Sequence, residues 1–259
     1  MSIWQVVILA IVEGVSEFLP ISSTGHLVLT SSLLHIQQTE FVKSFEIAIQ
    51  LGAILSIVVL YRDKLLNDSE VLKRVMVAFI PTMVLGFLGY EVIKMYLLGN
   101  VGVTVGALLI GGVVMVLWDR IGNQAKKAQL KIRDLSYKKA IIVGGVQAVS
   151  MIPGVSRAMA TIFGGLGVGL SREAAVEMSF LLAVPTMAAA TGLDLMKTGM
   201  EFSAQEWALM GMGFCVAFGV AMVAVKWLVA YVKNHNFVAF GVYRIVVAGV
   251  FGLIFLGGS

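Results

Sequence analysis

Six stretches of this chain, 44–61, 75–95, 101–118, 174–195, 207–228 and 237–257, are apolar almost throughout. Each is near the ~20 residues needed to cross ~30 Å of hydrocarbon. A soluble core would show shorter amphipathic stretches separated by charged faces. The composition agrees, with 59% of the 259 residues hydrophobic and only 13% charged, outside the soluble range. The chain is therefore expected to be an all-α integral membrane protein, one polytopic domain with no soluble module. Its opening, MSIWQVVILAIVEGVSEFLP, has no basic leader and carries Glu13 in its apolar part, so a cleavable signal peptide is not expected. The single cysteine, Cys215, excludes an intrachain disulfide and reads as a small packing residue. The net charge of +4 calls for no nucleic acid, because the basic residues cluster between apolar runs.

Those clusters set a topology. The linker 119–139 holds seven Lys/Arg against two Asp, and the linker 62–74 holds four basic residues. Both are expected in the cytoplasm, with the weakly charged linkers near 97–101 and 197–206 outside. Two further segments, about 2–35 and 140–170, are each interrupted by a proline followed by hydroxyl residues and glycine. A backbone break at membrane depth is tolerated only where protein or a watery cavity covers it. The natural reading is two re-entrant helix-loop-helix hairpins added to six transmembrane helices. EGVSEFLPISST from Glu13 aligns weakly with QAVSMIPGVSRA from Gln147. Three full spans separate the hairpins, so the second copy enters from the opposite face. This predicts an inverted-topology repeat, about 1–118 and 140–257 joined by the linker 119–139, with two broken helices meeting near the midplane.

The polar residues at the breaks carry the chemistry. Glu13 and Glu17, four apart on a half-helix, share one face. After Pro20, Ser22, Ser23 and Thr24 are N-cap types that open the next helix, and His26 follows Ser22 by four positions. A hydroxyl beside an imidazole and two carboxylates is the constellation of an activated nucleophile. The second segment repeats the design, with Pro153 and Gly154 at the break, Ser156 as cap, then Arg157, and Thr161 one turn on. A guanidinium within a membrane is costly and offers a fork of donors that matches phosphate oxygens. It could equally pair with Glu13 or Glu17, and both readings can hold. Two half-helix N-termini facing one another would add an anion site. Together these features predict hydrolysis of a phosphate group at a cavity inside the membrane. Glu46 and Gln50 could reach that cavity or serve packing. Lys226 and Arg244 read as side chains snorkelling to an interface. Gly164, Gly165, Gly167 and Gly169 read as close helix packing rather than a phosphate loop.

At these residues the sequence resembles the undecaprenyl-diphosphate phosphatase family, also called the bacitracin-resistance protein family. The family's Glu-x-x-x-Glu element is Glu13 to Glu17 in EGVSEFLPISSTGH, and its Pro-Gly-x-Ser-Arg-Ser-x-x-Thr element is Pro153 to Thr161. IQLGAILSIVVLYRDKL and SREAAVEMSFLLAVP extend the likeness along the chain, while Ala158 stands where the motif usually has a second serine. The resemblance implies release of inorganic phosphate from undecaprenyl diphosphate, recycling the lipid carrier of cell-wall synthesis. The site would lie in the bacterial inner membrane and open to the outer face. Carried across, Glu13 and Glu17 are acid/base or metal-binding carboxylates and Ser23 or His26 is the nucleophile. Arg157, Ser156, Ser22, Thr24 and Gly154 would hold the diphosphate, with Thr161 supporting them. Mg²⁺ or Ca²⁺ could bridge the glutamates and the diphosphate; no organic cofactor is implied. The partners are the lipid substrate and membrane lipids, with a homodimer left open. The competing reading is a transporter or flippase of a prenyl phosphate lipid, since broken helices in inverted repeats also mark secondary transporters.

Overall fold

The computed structural model describes residues 1–92, 100–121, 129–197 and 202–255. Among these the chain is helical, its only bridge being an isolated contact between Leu130 and Leu170. In order the helices are α1 (Ile3–Ser16), α2 (Ser23–Leu33), α3 (Glu40–Leu60), α4 (Arg62–Asn67), α5 (Ser69–Val92), α6 (Val101–Ile121), α7 (Tyr137–Ala148), α8 (Arg157–Gly167), α9 (Arg172–Lys197), α10 (Ala204–Asn234) and α11 (Val238–Phe255). Five of them, α3, α5, α6, α9 and α10, are long and apolar enough to cross a bilayer. The sixth expected stretch forms α11, an apolar helix of 18 residues whose C-terminal neighbours lie outside the described residues. Of the expected linkers, residues 97–99, 122–128 and 198–201 fall outside them as well.

Local chemistry sets the helix ends. Ser2 and Gln5 form a capping box that starts α1: the Ser2 amide donates to Gln5 Oε1 at 2.8 Å and the Gln5 amide to Ser2 Oγ at 3.3 Å. α1 stops short of Pro20, which lacks an amide donor and disfavours helix at the residue before it. The two interrupted segments thus each become a pair of short helices, α1 with α2 and α7 with α8, and within each pair the halves touch.

The helices pack in pairs: α1 and α3 lie against α10, α5 against α7, α6 against α11, α8 against α7 and α9, and α3 against α9. Small residues permit the closest approaches. A Cβ on Gly144 of α7 would fall 1.8 Å from the Ala78 carbonyl of α5, so only glycine fits there. The largest core cluster surrounds α8 and α9 and reaches Phe18, whose ring meets Phe180 edge-on at 5.6 Å. Outward-facing side chains such as Trp4, Phe87, Leu88 and Leu253 are exposed, as a lipid-covered surface requires. Cys215, expected as a packing residue, is exposed on α10. Of the glycine run, Gly164 and Gly165 pack closely, since a Cβ there would crowd Val146 or Ala175, whereas Gly167 is exposed and Gly169 turns the chain at φ +97°.

The two basic linkers lie together. Arg133 donates to Asp68 at 2.9 Å and Arg74 donates to the Leu135 carbonyl at 2.7 Å, so 62–74 and 129–139 share one face. Lys64 pairs with Glu177 near the start of α9 on the same side.

Candidate active site

Where α1 ends and α2 begins, the chain passes through Pro20 and reaches Ser22 with φ +75°. Where α7 gives way to α8, it passes through Pro153 and Gly154, the latter at φ +93°, and reaches Ser156, also with φ +75°. Residues with side chains rarely adopt such angles, which cost about 1–3 kcal/mol each and cluster at functional sites. Both serines nevertheless cap: Ser22 Oγ accepts from the Gly25 amide at 3.5 Å and Ser156 Oγ from the Met159 amide at 3.2 Å. The helix N-termini they open, those of α2 and α8, border one cavity of about 250 Å³. Each contributes unpaired amides and the positive end of a helix dipole.

The cavity is lined by Glu17, Ser22, Ser23, Thr24, Gly154, Ser156 and Arg157, all named from the sequence. Gln50 joins them, as do Ser150, Pro153, Met187 and Ala190. At its centre Ser23 Oγ donates to Glu17 Oε2 at 2.5 Å, and an Arg157 Nη donates to Glu17 Oε1 at 2.9 Å. The ion pair is buried, its side chains 11% and 5% exposed. The other Nη of Arg157 donates to the Ser179 carbonyl at 2.9 Å, and the guanidinium lies 5.5 Å from the Phe18 ring centre. Its Nε is buried without an acceptor.

The remaining predicted residues stand one layer out. Thr161 is fully buried and does not line the cavity; its hydroxyl meets the Arg157 carbonyl at 2.8 Å and the Ser179 hydroxyl at 2.6 Å, bracing the arginine from beneath. Ser179 has no sequence signal beyond being a serine in a helix. His26 is not part of the lining. Its Nδ1 donates to the Ser22 carbonyl at 2.7 Å, so Nε2 accepts from the Tyr243 hydroxyl at 2.7 Å. Glu13 is fully buried, and neither carboxylate oxygen has a hydrogen-bond partner. Ala158 sits in the apolar core.

Arg244 departs furthest from expectation. Rather than snorkelling it is completely buried, and it donates only to main-chain carbonyls: Pro20 at 3.3 Å, Gly154 at 2.8 Å, Val155 at 3.0 Å, Ala107 at 3.0 Å and Leu108 at 3.3 Å. Lys226 is exposed.

A carboxylate gripping a hydroxyl, an arginine in the lining and two helix N-termini around a small polar cavity can bind an oxyanion and activate a nucleophile against it. Comparison with known proteins bears on which oxyanion. The family model of the bacitracin resistance protein BacA matches residues 6–250. An undecaprenyl-diphosphatase of Aquifex aeolicus is 50% identical over 257 residues, 99% of this chain and 100% of that protein. Those of Persephonella marina and Thermus thermophilus are 46% and 43% identical, covering 99% and 98% of this chain and 100% and 98% of their own lengths. The match spans both chain breaks and every residue that lines the cavity, and the chain belongs to the bacitracin resistance protein BacA family.

Proposed function

We propose that the protein hydrolyses undecaprenyl diphosphate to undecaprenyl phosphate and inorganic phosphate. One observation carries the mechanism: Ser23 and Arg157, first residues of the two helices that open at the chain breaks, both bind the Glu17 carboxylate. The terminal phosphoryl group occupies the space between the α2 and α8 N-termini, its oxygens held by their amides, by the Ser22 and Ser156 hydroxyls and by Arg157. Glu17 takes the Ser23 proton as Ser23 Oγ attacks the terminal phosphorus. The new Oγ–P bond forms as the bond to the bridging oxygen breaks, and undecaprenyl phosphate leaves with the electron pair. Glu17 passes that proton to the departing undecaprenyl phosphate; water then attacks the phosphoserine while Glu17, again a carboxylate, takes its proton and delivers it to Ser23 Oγ, which releases inorganic phosphate and restores the hydroxyl. Positioning and charge stabilisation supply most of the acceleration, as is general for phosphoryl transfer. Ser23 is favoured over His26 as nucleophile, because both imidazole nitrogens are engaged and the ring stands behind the cavity wall.

Glu13 and Glu17 suit a hard cation. They are carboxylate donors, and Glu13 has neither oxygen hydrogen-bonded. Among the described residues no group of three His, Cys, Asp or Glu could form an all-protein cage, so Glu13 and Glu17 are the protein groups that would hold Mg²⁺ or Ca²⁺. Bound there, the ion would neutralise charge on the diphosphate.

We further place the protein in the bacterial plasma membrane with the cavity opening outward, as an inverted repeat of two re-entrant hairpins. The shared face of the two basic linkers supports that orientation. The pairing of α1 with α10 and of α7 with α5, which are corresponding contacts in such a repeat, supports the symmetry. The names of the relatives favour hydrolysis over transport.

The deciding experiment measures phosphate release from undecaprenyl diphosphate by the purified protein in detergent, beside Ser23→Ala and Arg157→Ala. Release by wild type and loss in both folded variants is expected. A wild type that binds the lipid and releases nothing at any divalent-cation concentration would overturn the reading.

A further inference from the structure

The two chain breaks create a problem that the site residues do not solve. A broken helix leaves carbonyls with no amide partner, and inside a bilayer these must find donors within the protein. Moreover, two N-termini that share one anion must be held at a fixed separation, yet they belong to segments far apart in sequence. Neither the Glu17–Arg157 ion pair nor the capping serines can do this while substrate is bound, because the proposed chemistry uses them. The device must lie behind the cavity.

Arg244 of α11 has the required geometry. Its guanidinium donates to the Pro20 carbonyl in the first break and to the Gly154 and Val155 carbonyls in the second. It also donates to Ala107 and Leu108 of α6. One planar group of five donors thus joins both breaks to a membrane-spanning helix. Space for it is built in: a Cβ on Gly111 would lie 2.3 Å from an Arg244 Nη. Among the described residues no carboxylate pairs with Arg244, so carbonyl dipoles alone solvate this charge. The adjacent Tyr243 extends the grip by donating to His26, which donates to the Ser22 carbonyl at the head of α2. The ring of Tyr243 also stacks on His26 with an interplanar angle of 8°.

We propose that Arg244 is a positioning residue that ties the two chain breaks together and fixes the spacing of the α2 and α8 N-termini, with Tyr243 and His26 as its second arm. This rests on the phosphatase reading for its effect on turnover, though not for its effect on anion binding. Arg244 touches no reacting atom; it acts through the main chain that presents Ser22, Ser23, Ser156 and Arg157.

The test compares wild type with Arg244→Lys, Gly111→Ala and Tyr243→Phe in detergent. Melting temperature, kcat and KM on a prenyl diphosphate, and binding of inorganic phosphate by ³¹P line broadening are measured for each. Gly111→Ala displaces the guanidinium while keeping its charge, so it separates position from electrostatics. Displacement of the N-termini by a fraction of an ångström is expected to lower kcat by about tenfold to a hundredfold in Arg244→Lys and Gly111→Ala. Phosphate binding should weaken in step and melting should change little. Tyr243→Phe, which loses one hydroxyl, should show the same pattern at about threefold to tenfold. If the variants melt lower but keep wild-type kcat and phosphate binding per folded molecule, Arg244 is a structural brace only and the proposal fails. If the first two do not fold, unchanged kcat and phosphate binding in Tyr243→Phe overturn it. Should wild type bind phosphate but release none from lipid, the phosphatase reading fails separately, and the order of phosphate binding across the variants still decides the role of Arg244.

Discussion

Ser23 and Arg157 hold opposite oxygens of one carboxylate: the serine hydroxyl meets Glu17 Oε2 at 2.5 Å and the guanidinium meets Oε1 at 2.9 Å. Each is the first residue of the helix that follows its chain break, so the two interrupted segments contribute different chemistry from equivalent places. The shared carboxylate makes their effects interdependent.

That interdependence gives the first prediction. Arg157→Met strands a buried carboxylate and Glu17→Gln strands a buried guanidinium, each expected to cost about 3–5 kcal/mol because an uncompensated buried charge remains. The double variant should be more stable than the sum of the two losses. Denaturation of the four proteins in detergent checks this, and strict additivity would contradict the pairing. Glu17→Gln should also lower kcat by about 10²–10⁴-fold through loss of the base.

Strain at the caps leads to the second. Ser156→Gly relieves a φ of +75° worth about 1–3 kcal/mol, while glycine at an N-cap costs only a few tenths of a kcal/mol. Melting temperature should therefore hold or rise as phosphate release falls, because a hydroxyl in the cavity is gone. A drop of several degrees would show that the turn is unstrained.

Cation dependence supplies the third. Chelation should abolish phosphate release by wild type, and Mg²⁺ or Ca²⁺ should restore it. Glu13→Gln should raise the ion concentration needed for half-maximal activity by about tenfold or more. Full activity in excess chelator would remove the ion from the reaction.

A fourth concerns the clasp between the two basic linkers. The hydrogen bond from Arg133 holds the Asp68 carboxyl below its ordinary value of 3.8. A depressed carboxyl lends stability above that value and loses it as pH falls through the lower folded value. Wild type and Asp68→Asn should thus differ in stability at about pH 6 and converge as the pH falls through the depressed folded value, below 3.8. The difference will be small, since the Arg133 side of the pair is largely exposed and solvent screens the interaction. A gap that widens in acid would reverse the assignment.

Much of this site is legible in the sequence because polarity in an apolar run is expensive. Glu17, Ser23 and Arg157 stand out for that reason, and prolines mark both breaks. Ser150 and Ser179 do not stand out, since a single helical serine can satisfy itself on its own backbone; only the fold brings Ser179 to Arg157. Arg244 is misread for a related reason. Seven positions into α11 it is close enough to an end to snorkel, and nothing in a sequence shows carbonyls turned away from helices elsewhere. The helices also outrun the apolar stretches. α10 extends over Ala204–Asn234 rather than 207–228, because hydropathy marks the hydrocarbon whereas caps such as Ser203 set where winding starts.

Among the described residues the hydrogen bonds of Arg244 all go to main-chain oxygens, at Pro20, Ala107, Leu108, Gly154 and Val155. A contact of that kind reads the path of a chain and ignores its letters. Side chains at Ala107, Leu108 and Val155 can drift without loosening the knot, though Gly154 is held to glycine by its φ of +93° and the Thr104 carbonyl; gaining or dropping a single residue in either turn would carry its oxygens out of register. The two breaks are held to a length more strictly than to a spelling.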